Sequence, residues 1–214
     1  MSGRAEARVP MPPWHQFGTV LAPAEHEALL AWTIGNRGRF KPAGLAELGV
    51  DRSKRVAEKL KDLGPLERVF EQRIGALLPE IFARTGTRPF EVEHLELEIA
   101  AHGDGAFFAR HSDMAFGPGR RPLGGDDSGR HDRLISAVYY YHREPKAFAG
   151  GALRLHRFGG AGGADDHVDI EPAQNSLVVF PSWTQHEVMR VECPGGAFED
   201  FRFAVNAWLC RSLS

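Results

Sequence analysis

The stretch that decides the fold reads Phe107-Phe108-Ala109-Arg110-His111-Ser112-Asp113. In an extended strand, residues two positions apart project from the same face, so His111 and Asp113 can present an imidazole and a carboxylate to one metal ion. A third ligand is available far along the chain at His186. A His-x-Asp tripeptide alone is weak evidence because it is common, but its combination with a later histidine favours a metal site.

This ligand set has the composition of an open metal site. Two histidines and one carboxylate leave coordination positions free, which is typical of non-haem Fe(II) centres. A structural zinc site would be closed by four protein ligands and would usually be richer in cysteine than this chain, which has two. At an iron centre, a 2-oxo acid can chelate through two free positions and leave the third for dioxygen.

A 2-oxo diacid would also need a cation for its far carboxylate. Arg202 follows His186 on an aromatic terminal strand, and its guanidinium can hold a carboxylate through two parallel hydrogen bonds. Two other interpretations stay open at this point, because His186 could be a hydrogen-bonded core histidine and Arg202 could be a surface ion-pair partner. The order of His-x-Asp, a distant His and then an Arg is far more specific than any of its parts.

The composition argues against several classes of protein. The chain has 26 basic and 28 acidic residues, without the basic excess expected of a nucleic-acid-binding protein. No run of about 18 apolar residues occurs, so we expect no membrane span, and the N-terminal segment lacks the apolar region of a secretory signal. Two cysteines, Cys193 and Cys210, are too few for a disulfide framework, which favours the reducing cytoplasm. The oligomeric state is left open.

The chain is expected to form one domain over residues 1–214, with a loose arm at 1–13, helical support at 14–90 and a β-rich core at 91–210. Many short strands separated by Gly and Pro turns favour an antiparallel double-sheet barrel of the jelly-roll type. The predicted class is therefore α+β with a mainly β core, in which N-terminal helices pack on one sheet. Residues 114–132 form a Gly- and Arg-rich loop that is either a lid or an ordinary surface loop.

Two helices are predicted in the N-terminal part of the chain. One begins near Ala22, and a longer one follows Gly64-Pro65, where apolar residues recur at steps of three and four. Between them, Ser53 is expected to cap a short segment that contains Val56 and Leu60.

After the second predicted helix the apolar period changes to two, which indicates strands. On the terminal strand, Arg202 and Trp208 share one face. On an earlier strand, Tyr140 lies on the face opposite Tyr139 and Tyr141, and the sequence leaves open which face is interior. The predicted strands are Leu95–Ala100, Phe107–Asp113, Arg133–His142, Ala152–His156, Val168–Ile170, Leu177–Phe180, Val188–Val191 and Phe201–Cys210.

With these motifs in place, the chain resembles the 2-oxoglutarate/Fe(II)-dependent dioxygenases, particularly their prolyl 4-hydroxylase-like branch. The resemblance extends from about Glu93 to Leu209. It is carried by Gly103-Asp-Gly-x-Phe-Phe-x-x-His-x-Asp113, Arg133-Leu-Ile-Ser-Ala-Val-Tyr-Tyr-Tyr141, Phe148-Ala-Gly-Gly-Ala-Leu-Arg-Leu155, Leu177-Val-Val-Phe-Pro-Ser182, His186-Glu-Val188 and Arg202-Phe-Ala-Val-Asn-Ala-Trp208.

The resemblance implies a double-stranded β-helix with Fe(II) on His111, Asp113 and His186. It also implies that Arg202 holds the C5 carboxylate of 2-oxoglutarate and that the Tyr140 hydroxyl binds the same carboxylate. The implied cofactors are Fe(II), 2-oxoglutarate and O2, with ascorbate as a candidate reductant.

Departures from the family pattern concern the substrate. His102 stands where many relatives of this branch have a Tyr near cosubstrate and substrate, and Tyr141-His142 replaces a common Leu-Asn. His102, Arg110 and Trp208 are therefore candidate substrate contacts, but prolyl specificity does not transfer.

The expected activity is hydroxylation of an unactivated C–H, with an amino-acid side chain in a protein or peptide as the first candidate substrate. A small molecule, or a free or carrier-bound amino acid, is the alternative. A non-catalytic metal-binding barrel is a rival of another class. A cupin-type isomerase or a zinc hydrolase would leave Arg202 unexplained.

Overall fold

The computed structural model describes residues 10–43, 51–116, 122–123, 131–158 and 166–212. The first part of the chain contains β1 (His15–Gly18), α1 (Pro23–Gly35), β2 (Lys41–Pro42), β3 (Arg55–Val56), β4 (Glu58–Leu60) and α2 (Leu66–Thr85). The strands that follow are β5 (His94–His102), β6 (Phe107–His111), β7 (Ala115–Phe116), β8 (Pro122–Leu123), β9 (His131–Tyr141), β10 (Ala149–Gly150), β11 (Leu153–His156), β12 (His167–Ile170), β13 (Ser176–Pro181), β14 (His186–Val188), β15 (Val191–Glu192) and β16 (Arg202–Ser212).

Two antiparallel sheets form the core of the fold. The larger one has seven strands in the order β1-β13-β9-β16-β5-β4-β2, and the smaller one has five in the order β12-β11-β14-β6-β3. Neighbours in each sheet are often distant in sequence, which is the arrangement of a double-sheet jelly roll. The predicted fold class is confirmed.

Both helices cover the outer face of the larger sheet, as the sequence predicts. Helix α1 begins at Pro23, and the Glu25 carboxylate accepts a hydrogen bond from the backbone N–H of Ala22. Helix α2 ends at Thr85, and Gly86 follows it with a φ of 62°, the left-handed conformation that glycine adopts readily. The apolar core between helices and sheet includes Leu29, Phe70, Ile74, Ile81, Ile99, Tyr139, Tyr141, Leu177, Phe203, Val205 and Leu209.

The tyrosines of β9 show which face of the larger sheet is interior. Tyr139 and Tyr141 lie under the helices, where their hydroxyls are hydrogen-bonded to His26 and Thr33, each at 2.7 Å. Tyr140 points the other way, into the space between the sheets, where it belongs to a second buried apolar cluster. Its companions there include Leu153, Leu155, Ile170, Val178, Phe180 and Ala204.

Ser53 was predicted to cap a short segment that contains Val56 and Leu60, and this prediction is wrong. The Ser53 backbone N–H and hydroxyl both donate to the Asp51 carboxylate, and the chain then extends as β3 and β4. Val56 pairs with Phe107 on β6, and Leu60 pairs with Ile99 on β5. These short strands are stabilised by pairing with edges that a local sequence pattern does not reveal.

Other boundaries also differ from the predictions. Strand β1 was not predicted, and it adds to the edge of β13. The predicted strand Val188–Val191 is two strands, because β14 ends at Val188 and β15 pairs with β10 instead. Most of the predicted loop 114–132 and of the arm 1–13 lies outside the described residues. Among the described residues, neither helix has the length and apolar character needed to cross a membrane.

Candidate metal centre

The three predicted metal ligands meet where β6 ends and β14 begins. His111 and His186 are direct partners in the β6–β14 pair. Asp113 lies just after β6, in a bend rather than in the strand that the sequence predicts. The Nε2 atoms of His111 and His186 lie 3.7 and 3.6 Å from the Asp113 carboxylate oxygens, and the ligand atoms of all three residues lie within 4.8 Å of one another. Ligand atoms gathered this closely can share one ion after small side-chain adjustments toward the ordinary metal–ligand distances of about 2.0–2.2 Å.

Backbone carbonyls orient both imidazoles. The Nδ1 atom of His111 lies 2.8 Å from the carbonyl oxygen of Ala109, and that of His186 lies 2.9 Å from the carbonyl oxygen of Thr184. A carbonyl oxygen can only accept, so each Nδ1 carries the proton and donates it. Each Nε2 therefore keeps its lone pair for a metal, which is the usual supporting interaction of a metal-binding histidine.

Two buried serines hold the carboxylate. Ser136 donates from its hydroxyl to Oδ2 of Asp113 at 2.6 Å, and the Ser136 and Ser182 hydroxyl oxygens lie 2.9 Å apart. The carbonyl oxygen of Ser182 accepts hydrogen bonds from the backbone N–H groups of Asp113 and Met114. Sequence patterns did not mark either serine as part of the site, because Ser136 comes from β9 and Ser182 from the turn after β13, and they meet Asp113 only in the folded chain.

The charge states of the ligands suit a divalent cation. Burial, together with the nearby His186, lowers the pKa of His111 to about 3. Burial alone would raise the pKa of Asp113, but His186, His111 and the Ser136 hydrogen bond outweigh it and lower that pKa to about 2. At neutral pH the site therefore offers a neutral His111 imidazole and an anionic carboxylate.

A second polar cluster lies at the start of β16. Arg202 is 1% exposed and pairs across the strands with His102 on β5. Its Nη1 donates to Nδ1 of His102 at 3.2 Å, while its Nε has no hydrogen-bond partner among the described residues. The guanidinium carbon lies 4.9 Å from the centre of the Tyr140 ring.

Tyr140 adds a second unpaired donor to this cluster. Its hydroxyl is fully buried and forms no hydrogen bond of ordinary length within the described part of the chain. Burial raises its pKa to about 12, although the nearby Arg202 acts in the opposite direction. Gly151 leaves the space that the Arg202 side chain occupies, because a Cβ there would lie 2.6 Å from Cδ of Arg202. A buried guanidinium whose one hydrogen-bond partner here is a neutral imidazole, beside a buried hydroxyl, is costly unless an anion joins them. The cluster therefore fits the far carboxylate of a 2-oxo diacid.

His102 supports Arg202 as a neutral acceptor. Burial, followed by the charges of Arg202 and Arg55, lowers the pKa of His102 well below its ordinary value. Because an arginine only donates, Nδ1 of His102 must carry the lone pair in this contact. The structure thus places His102 directly beside Arg202.

The metal ligands and the arginine cluster lie toward opposite ends of one interior face. On β9, Ser136 at the metal end and Tyr140 at the arginine end are four residues apart, or about 13 Å along the strand. At the level of Tyr140, Ala204 of β16 pairs with Ala100 of β5, so the side chains beside the tyrosine are small.

The two remaining candidates differ in position. Trp208 is largely buried and pairs with Ser136, and the Arg133 guanidinium covers its ring at 3.9 Å. It therefore lies close to the residues that hold Asp113. Arg110 is exposed, and its charge acts on His156. No contact in the described regions joins Arg110 to the metal ligands.

Sequence comparison gives a family match over the β core. The model of the 2OG-Fe(II) oxygenase superfamily matches residues 97–210. An uncharacterized PKHD-type hydroxylase of Synechocystis is 29% identical over 198 residues, which cover 91% of this chain and 62% of that relative. The chain thus spans less than two thirds of the length of this curated relative.

Solved structures share the fold. A prolyl 4-hydroxylase of Pseudomonas putida has a TM-score of 0.65 at 24% identity, with 93% of each chain covered. A Trichoplax adhaerens prolyl hydroxylase, solved with a peptide fragment of the hypoxia inducible factor oxygen degradation domain, has a TM-score of 0.66 at 18% identity. That alignment covers 92% of this chain and 83% of the other. With the family match over more than half of its length, the chain belongs to the 2OG-Fe(II) oxygenase superfamily.

Proposed function

We propose that this protein is an Fe(II)- and 2-oxoglutarate-dependent dioxygenase that hydroxylates an unactivated C–H of an amino-acid side chain in a peptide or protein. The observation that carries the proposal is the pairing of two features on one interior face. One is the set of three convergent metal ligands. The other is the buried pair of unpaired donors on Arg202 and Tyr140.

His111 and His186 would bind the iron through Nε2, and Asp113 would bind it through its carboxylate. Such a triad occupies three positions and leaves the others open. Bound there with its cosubstrate, Fe(II) supplies the oxidative chemistry, in which 2-oxoglutarate is decarboxylated to succinate and CO2 while one oxygen atom enters the substrate.

The protein's own residues position the cosubstrate. The guanidinium of Arg202 and the hydroxyl of Tyr140 would donate to its far carboxylate, and His102 keeps Arg202 in place from the other side. A carboxylate held in this way has a defined distance and direction from the metal ligands. Positioning of this kind is a principal contribution of the protein to cofactor chemistry.

Aromatic and apolar side chains limit water at the site. The Phe108 ring stacks on the His111 ring at 3.6 Å, and the Phe180 ring meets His186 edge-on at 4.9 Å. Phe180 belongs to the apolar cluster between the sheets. These contacts fix both imidazoles and separate the site from bulk water on that side.

The substrate class is supported by fold neighbours that are described as prolyl hydroxylases, one of them in complex with a peptide. Another neighbour is described as an epimerase of nogalamycin biosynthesis. A small molecule, or a free or carrier-bound amino acid, is the alternative. A cytoplasmic location suits the proposal, since Cys193 and Cys210 are buried and form no disulfide.

The test is succinate formation from 2-oxoglutarate, with Fe(II), ascorbate and air, across a panel of peptides and free amino acids. We expect one class to stimulate succinate release and to gain one oxygen atom by mass spectrometry. Arg202→Gln should raise the 2-oxoglutarate concentration needed while iron still binds. If no condition gives more succinate than the Asp113→Ala variant, the barrel binds metal without catalysing hydroxylation.

A further inference from the structure

Arg55 of β3 is a largely buried cation that packs beside a ligand of the metal site. Its side chain is 10% exposed, and its guanidinium carbon lies 4.5 Å from the centre of the Phe108 ring. That ring is stacked on the imidazole of His111. Arg55 is therefore connected to the metal ligand His111 through the Phe108 ring.

The positive charge around Arg55 is only partly neutralised. Its Nη2 reaches Oε1 of the buried Glu98 at 3.4 Å, which is a long contact. Lys59 shares the same carboxylate through Oε2 at 3.1 Å. The Nε of Arg55 is buried and has no hydrogen-bond partner among the described residues. Two cations thus share one carboxylate, and a buried charge in that state is costly until another anion joins it.

A cavity of about 240 Å³ adjoins Arg55. Its lining includes three arginines, Arg37, Arg52 and Arg55, against two carboxylates, and Glu58 is already paired with Arg37 at 2.9 Å. None of the three metal ligands lines it. Arg55 therefore belongs both to this cavity and, through Phe108, to the surroundings of the metal ligands.

We propose that Arg55 binds an anionic group of the substrate, a carboxylate or a phosphate, while the carbon to be hydroxylated faces the metal. The planar fork of an arginine suits both anions. This anion site is separate from the cosubstrate carboxylate site at Arg202. Its assignment to the substrate rests on the proposed function. It identifies the substrate as a molecule or residue with a negative charge near the reacting carbon.

The test is calorimetric binding of small probes to the protein loaded anaerobically with Fe(II) and 2-oxoglutarate, so that Arg202 is already occupied. Acetate and methyl phosphate are the anionic probes, and acetamide is the neutral match for acetate. We expect at least one anion to bind about tenfold more tightly than acetamide, since a hydrogen bond to a charged group is stronger than one to a neutral group. The tighter of the two anions identifies the carboxylate or the phosphate.

Variants separate a binding role from a structural one. Arg55→Gln should weaken binding of the anion by about tenfold, and Arg55→Lys should retain part of the affinity. Glu98→Gln should strengthen binding of the anion, because it releases the two cations from their shared carboxylate. Arg84→Gln, which removes an exposed arginine of α2 that does not line this cavity, serves as the control and should leave anion affinity unchanged.

Equal binding of acetate and acetamide, or anion binding that Arg55→Gln does not change, would overturn the proposal. If Arg55→Gln does not fold, the Glu98→Gln comparison decides, because a purely structural arginine predicts no gain in anion affinity. The visible absorption band of the Fe(II)–2-oxoglutarate complex is recorded on each protein. Its presence in a protein that fails the anion test would leave the proposed function intact.

Discussion

Replacing Tyr140 by Phe is expected to have opposite effects on the cosubstrate-free protein and on cosubstrate binding. The hydroxyl is buried without a hydrogen-bond partner within the described residues, and such a group costs about 1–3 kcal/mol. Removing it leaves the ring, which already packs in the cluster between the sheets. The free energy of unfolding of Tyr140→Phe without cosubstrate should therefore rise by about 1 kcal/mol.

Cosubstrate binding should weaken in the same variant. If the Tyr140 hydroxyl donates to the far carboxylate, its loss removes a hydrogen bond to a charged group, worth about 1.5–3 kcal/mol. The dissociation constant of 2-oxoglutarate should then rise about 10- to 150-fold. Anaerobic calorimetric titration of 2-oxoglutarate into the Fe(II)-loaded protein measures this change, and urea unfolding of the metal-free protein measures stability.

Tyr141→Phe is the matched control, because Tyr141 is the next residue on β9 and faces the helices. Its hydroxyl oxygen lies 2.7 Å from that of Thr33, so its removal should lower the free energy of unfolding by about 1 kcal/mol. The affinity for 2-oxoglutarate should not change. If Tyr140→Phe behaves like Tyr141→Phe in both measurements, Tyr140 is an ordinary core aromatic and its assignment to the cosubstrate is refuted.

Three further changes test the surroundings of the site. Gly151→Ala would place a Cβ 2.6 Å from Cδ of Arg202, at a backbone position whose φ is 71°. The dissociation constant of 2-oxoglutarate should therefore rise about tenfold or more, and an unchanged value in the same titration would show that the arginine can move aside. Ser136→Ala removes the donor to Asp113 and should weaken Fe(II) about 10- to 100-fold in chelator competition, whereas full affinity would show that the backbone alone holds the carboxylate. Burial and then Arg202 lower the pKa of His102 well below 6.5. Below about pH 6.5 the unfolded chain therefore takes up a proton that the folded protein does not, and the free energy of unfolding falls as the pH falls. His102→Gln should reduce this slope by up to about 1.4 kcal/mol per pH unit in urea unfolding, and an identical slope would contradict the neutral state assigned to His102.

The long strands could be predicted from sequence because their residues alternate regularly between two faces. On β16 this alternation separated Arg202 and Trp208 from the residues that pack under the helices. The faces of β9 were also predicted as two sets, but the sequence could not say which set is interior. The helices decide this, since they occupy the side of Tyr139 and Tyr141 and leave Tyr140 between the sheets.

The parts that could not be predicted depend on contacts between distant segments. Strand β3 has two residues, which is too short for any period to show, and it exists because Arg55 and Val56 pair with β6. Arg55 therefore gave no signal as a site residue. The orientation of Asp113 was expected from strand alternation, yet the strand ends before it and hydrogen bonds to Ser136 and Ser182 direct it instead.

The central claim is that His111, Asp113 and His186 bind one ferrous ion and leave room for a keto acid. Anaerobic titration of Fe(II) into the protein, followed by 2-oxoglutarate, tests it most directly. The native chain should bind one Fe(II) and develop a weak visible absorption band on adding 2-oxoglutarate, while Asp113→Ala should do neither. Equal iron binding and an equal band in Asp113→Ala would contradict the site described here.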